Sequence, residues 1–182
     1  LYPQLQQVRE RVAATLSEKE FPAAHVLLSS THTHAGPDVV GLWGPERMIS
    51  GVDTSYLSKL VKTCAEQVIK AFRNRQPAGA RYAEADFGAE WVYNISQPGE
   101  LDRTLTVLQF TDALGKSIAT LTNFACHPTF VDAVHDKVSA DYVGGFYERM
   151  DRSLEGMNMF LQGAIGGWVQ PEYEAKTFEQ AF

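Results

Sequence analysis

The chain has 182 residues, of which 45% are apolar and 21% charged, with a net charge of -6 at pH 7. Those values fit a globular protein long enough to bury a sizeable core within one domain. The negative balance argues against nucleic acid, whose phosphates call for a basic face, and no apolar run approaches the roughly 18 residues that span a bilayer.

Leu5, Val8, Val12 and Leu16 recur at helical spacing and predict an amphipathic helix over residues 2–18. After Phe21-Pro22 the run "HVLLSST" is short and apolar, which predicts a buried strand from His25 to about Thr31. Residues 35–53 are rich in Gly, Pro and Asp and read as a loop long enough to suggest function. Asp53-Thr54-Ser55 supplies helix-capping residues. A second helix follows to about Arg75, with Leu57, Leu60, Val61, Cys64, Val68, Ile69 and Phe72 as its buried stripe.

From Gly79 the period changes toward two. "ARYAEADF", "RTLTVLQFTD" and "SIATLTNFAC" read as strands, and "DALGK" joins the last two as a β-hairpin turn. Residues 140–153 read as a helix and "MNMFLQGA" as another short strand. Helices interleaved with strands, an antiparallel hairpin among them, predict an α/β fold with a mixed β-sheet flanked by α-helices. The two cysteines, Cys64 on a helix face and Cys126 at a strand end, read as core thiols rather than a disulfide. They do not fix the compartment.

The candidate chemistry lies in the histidines. His32 and His34 follow the strand-like run, and in an extended chain residues i and i+2 share a face. His127 ends "TLTNFACH", a second strand running into a histidine and then Pro128. If the two strands are neighbours, the three imidazoles meet at one sheet edge, where open α/β sheets form their sites. Neutral imidazole is a standard zinc ligand, and a catalytic zinc usually takes three protein ligands and a water. The plain alternative is loop histidines with no ligand. His25, at the start of the expected strand, reads as a surface residue, and His135, between Asp132 and Asp136, as a hydrogen-bonding one. In "GAIGGWVQPE", Gly163, Gly166 and Gly167 read as a turn that lets backbone approach a ligand. Ser139 or Asp141 in "SADY" reads as a helix cap.

Four segments in order carry a family resemblance: "THTHAGP" at 31–37, "NFACHPT" at 123–129, "SADYVG" at 139–144 and "GWVQP" at 167–171. Together they resemble the neutral, non-lysosomal ceramidases, which carry "THTHSGP", "NFACHPT", "SADYPG" and "GDVSP". The resemblance implies that His32 and His127 bind one catalytic zinc ion, and that His34 contacts the substrate or its developing oxyanion. It implies cleavage of the N-acyl bond of ceramide or a related lipid amide by zinc-activated water. The family's other zinc ligands, a Glu and a Tyr, lie beyond the segments matched here. The family's acidic residue and serine in "GDVSP" correspond to Trp168 and Gln170, which therefore stand at substrate-binding positions. An arginine of the family corresponds to Ile95.

On this reading residues 1–182 form one ceramidase-like hydrolase domain, incomplete relative to the family's catalytic domain and an internal piece of a longer polypeptide. Its sheet edges invite self-association or the missing remainder. The family resemblance implies a secreted or membrane-facing location. The replacements at Trp168, Gln170 and Ile95 leave two further readings open. One is a protein that keeps the fold but has lost ceramide cleavage and binds or scaffolds instead. The other is a metal hydrolase of another amide or ester.

Overall fold

A computed structural model describes residues 2–89, 91–131 and 137–171. The backbone divides into two compact units, one of residues 1–28 and 37–76, the other of residues 29–36 and 77–182.

The first unit is a helical pair. Helix α1 (Tyr2–Ala13) and helix α2 (Thr54–Arg73) are packed through Val8, Val12, Leu16, Val61 and Ala65. Asp53 caps α2 as the sequence implied, its carboxylate accepting from the backbone N–H groups of Ser55 and Tyr56. Such a cap contributes about 1 kcal/mol. Helix α1 ends at Ala13, five residues before the expected end, although Leu16 still reaches the core. The expected strand at 25–31 does not form: Ala23–His25 is a short 3-10 helix and the residues after it join no sheet. Val26 is buried but Leu27 is exposed, so the run lacks two covered faces. His25 is exposed, edge-on to Phe21.

The second unit is built on a four-stranded mixed sheet. Strands β1 (Gly79–Asp86), β3 (Thr104–Thr111), β4 (Ser117–Phe124) and β5 (Met157–Gln162) lie in the order β1-β3-β4-β5. β1, β3 and β4 are antiparallel, and β4 and β5 are parallel. The β3–β4 hairpin closes as expected: the Asp112 carboxylate accepts from Leu114 and Lys116, and Gly115 takes a φ of 82°. Helix α3 (Tyr142–Ser153) joins β4 to β5 and covers one sheet face. Thr120, Thr122, Phe124, Asn158 and Phe160 are buried on that face, and Val143 and Phe146 of α3 pack with the two phenylalanines. The opposite face carries Leu121, Met157 and Met159, which are half-buried or exposed. Strands β2 (Val92–Asn94) and β6 (Val169–Pro171), each of three residues, form a small second sheet that the sequence did not reveal. Cys64 and Cys126 are both free thiols. Among the described residues, no helix is long and apolar enough to cross a membrane. His135 lies outside the described residues.

Candidate metal centre

β4 and β5 run parallel, so their C-terminal ends emerge at one edge of the sheet. There His127 follows β4 after Ala125 and Cys126, all three buried. Its ring is fixed: Nδ1 lies 2.6 Å from the carbonyl of Val169 at the start of β6. The backbone N–H of His127 donates to the same carbonyl at 2.8 Å.

His32 and His34 reach this edge on the loop 29–36, within the same unit. The alternation expected of an extended strand is not what pairs them. His32 has a φ of 69°, a left-handed backbone that costs a residue with a Cβ roughly 1–2 kcal/mol. Distant groups hold the loop there. The backbone N–H of His34 donates to the Pro128 carbonyl at 3.4 Å, and Thr33 Oγ1 donates to the Ser139 carbonyl at 2.9 Å. The Ser139 N–H returns a bond to the Ala35 carbonyl at 2.9 Å.

The three imidazoles therefore converge. Ring centroids are 4.9 Å apart for His32 and His127, 5.3 Å for His32 and His34, and 5.6 Å for His34 and His127. One ligand nitrogen from each ring lies within 4.8 Å of the others. Burial, and then the neighbouring rings of His127 and His34, hold the His32 pKa below its ordinary value. The neutral, metal-competent form is favoured. Three imidazoles, one held through its Nδ1 by a backbone carbonyl, form a group that could hold a metal ion.

Trp168 lies over this cluster. Its rings stack on His127 at 5.0 Å and 16°, and meet His34 edge-on at 5.7 Å. The indole N–H donates to Gln170 Oε1, and Gln170 Nε2 donates to the Tyr93 hydroxyl at 2.6 Å. Trp168 is half-exposed, whereas Gln170 is buried with both ends of its amide engaged. Ile95, the third replacement, is exposed. Tyr93 went unnoticed in the sequence, because only the β2–β6 pairing places it opposite Gln170.

The "SADY" segment does more than cap a helix. The Asp141 carboxylate accepts from Tyr142 N–H at the start of α3 and from Val131 N–H beyond His127. The Tyr142 hydroxyl donates to the Cys126 carbonyl at 2.7 Å. Gly163 also has a packing role that the sequence did not show. A Cβ on Gly163 would meet Ala125 backbone at 2.9 Å, so this glycine permits close packing of the strand ends. Gly167 has a φ of 72°, and Gly166 faces open space. Burial pushes the Cys126 thiol up to about 12, so this neighbour of His127 stays a protonated core residue rather than a thiolate.

No protein-family model matches the chain. Neutral ceramidase B of Dictyostelium discoideum is 28% identical over 143 residues, covering 68% of this chain and 19% of that protein. The crystal structure of neutral ceramidase from Pseudomonas aeruginosa superposes with a TM-score of 0.70 at 22% identity, covering 91% of this chain and 29% of that one. A ceramidase structure complexed with C2 gives a TM-score of 0.73 at 20% identity, covering 97% and 31%. The chain thus spans less than a third of the length of each of these relatives. Its α/β architecture is that of the two solved ceramidase structures, and its sequence is similar to that of the Dictyostelium neutral ceramidase B.

Proposed function

We propose that this chain carries the histidine half of the catalytic centre of a zinc-dependent amide hydrolase, acting on the N-acyl bond of ceramide or a related lipid amide. The observation that supports it most is the convergence of His32, His34 and His127 in a neutral ceramidase-like fold. On this reading residues 1–182 belong to one hydrolase domain.

His32 and His127 would hold the ion, His127 through Nε2, because its Nδ1 is committed to the Val169 carbonyl. A zinc ion held there would supply Lewis-acid activation of water for attack on an amide carbonyl. His34, half-buried beside both rings, stabilises the charge that develops on the carbonyl oxygen. Trp168 offers an apolar wall for the substrate, and Gln170 bridges its indole N–H to the Tyr93 hydroxyl.

Isothermal titration with zinc tests the metal assignment. The unaltered chain is expected to bind one ion, and H32A and H127A to lose it. H34A is expected to retain the ion and lose amide cleavage. Loss of zinc in H34A equal to that in H127A would make His34 a third ligand instead. Zinc binding unaffected by H32A plus H127A would end the proposal.

Trp168 and Gln170, replacing polar family residues, favour a second reading in which the chain keeps the metal but not ceramide cleavage. A panel of short and long N-acyl amides and esters separates the two: metal binding without turnover of any member supports the second.

A further inference from the structure

Gln162 ends β5, directly opposite Phe124 at the end of β4 in the parallel register. Its side-chain amide has four hydrogen-bonding capacities, two on nitrogen and two on oxygen. All four are used. Nε2 donates to the carbonyls of Thr31 at 2.8 Å and Cys126 at 2.9 Å, while Oε1 accepts from the N–H groups of Cys126 and Gly163, each at 3.2 Å.

The two carbonyls are not arbitrary. Thr31 C=O belongs to the peptide unit whose N–H is that of His32, and Cys126 C=O to the unit whose N–H is that of His127. A peptide unit is planar, so fixing its oxygen fixes the plane that enters the next residue. One nitrogen therefore sets the entry planes of two histidines far apart in the chain. This matters most at His32, whose left-handed backbone needs support from outside its own loop.

We propose that Gln162 is a positioning residue that clamps the two histidine-bearing segments into one metal-binding geometry. The proposal rests on the metal-centre reading above for its purpose, but the clamp itself can be tested without metal. Its nearest replacements fall short: Glu lacks the two donors, Asn is a methylene short, and Met fills the space without any hydrogen bond.

Three measurements decide it. In the unaltered, metal-free chain, the Gln162 side-chain amide protons are expected to exchange slowly with solvent. Rapid exchange would overturn the clamp without any variant being made. In Q162M and Q162E, the nuclear Overhauser contact between the His32 and His127 rings is expected to vanish in the metal-free state. Zinc affinity is expected to fall about 10–100-fold, as when a supporting partner of a metal ligand is removed. The control is N123A, which deletes a comparable bond from Asn123 Nδ2 to the Leu161 carbonyl at 2.9 Å, within the sheet. It is expected to lower Tm while keeping both the ring contact and zinc affinity. Retention of the ring contact and of affinity in Q162M overturns the proposal, as does an equal loss in N123A. Should Q162M fail to fold, slow exchange in the unaltered chain still decides for the clamp, and rapid exchange against it. Failure of the unaltered chain to bind zinc would refute the metal centre, while exchange and ring contact would still judge the clamp.

Discussion

The Val169 carbonyl accepts twice from His127, from the backbone N–H and from ring Nδ1. A carbonyl cannot donate, so Nδ1 carries a proton, and in the neutral ring the lone pair then lies on Nε2. Long-range proton–nitrogen NMR is expected to show a pyrrole-like Nδ1 and a pyridine-like Nε2 in the metal-free chain. Zinc should then shift Nε2 of His127 much more than Nδ1. The reverse tautomer would remove Val169 from any role in orienting the ligand.

Trp168 touches His127 and His34 through its ring faces and edges, while its indole N–H donates to Gln170. W168A should therefore cost activity more than metal. Zinc affinity is expected to change by less than about tenfold, since a stacked pair contributes only about 0.5–1.5 kcal/mol. The kcat/KM for a long-chain amide should drop further than that for a short one. Equal losses on both chains would remove Trp168 from the substrate wall.

Gly163 lies against Ala125 with no room for a Cβ. G163A should push the ends of β4 and β5 apart, costing about 1–3 kcal/mol in urea unfolding, the usual penalty of overpacking. Zinc affinity should fall with it, because Ala125 lies two residues before His127. G166A, where a Cβ would meet nothing within 4 Å, is the matched control and should leave zinc affinity unchanged.

Asp141 is fully buried, and burial raises its pKa although backbone N–H groups of Tyr142, Val131 and Phe130 pull the other way. D141N turns one accepting oxygen into a donor facing an N–H, so it should destabilise the fold by about 1–3 kcal/mol. The pH sign follows from the raised value. The folded chain holds this proton to higher pH than the unfolded chain does, so the contribution is full below the unfolded pKa. It is lost as pH rises through the folded one. The stability gap between the unaltered chain and D141N should thus narrow as pH is raised from 4. A gap that widens instead would place a low pKa on Asp141.

Local patterns were legible where one segment carried its own signal. The hairpin showed in two alternating runs around Asp112 and Gly115, and α2 showed in its cap and apolar stripe. His32, His34 and His127 were visible as a set only because two apolar runs each ended in histidine. The geometry that joins them was not visible. It depends on a left-handed His32, and on bonds from Ser139 and Gln162 to a loop more than a hundred residues away. The apolar run after His25 misled for the same reason: period and composition cannot say whether a partner strand exists. β2 and β6 are too short to announce themselves, yet their pairing sets Tyr93 against Gln170 and so steadies Trp168.

The β3–β4 turn leaves one practical opening. β4 has eight residues, which at about 3.3 Å per residue separates its two ends by roughly 26 Å. Leu114, at the tip of that turn, is 93% exposed. A dye or spin label placed there would stand clear of the histidines at the other end of the strand. Rigid strand in between makes Leu114 a fixed vantage point, from which the arrival of a metal or a lipid can be measured as a distance.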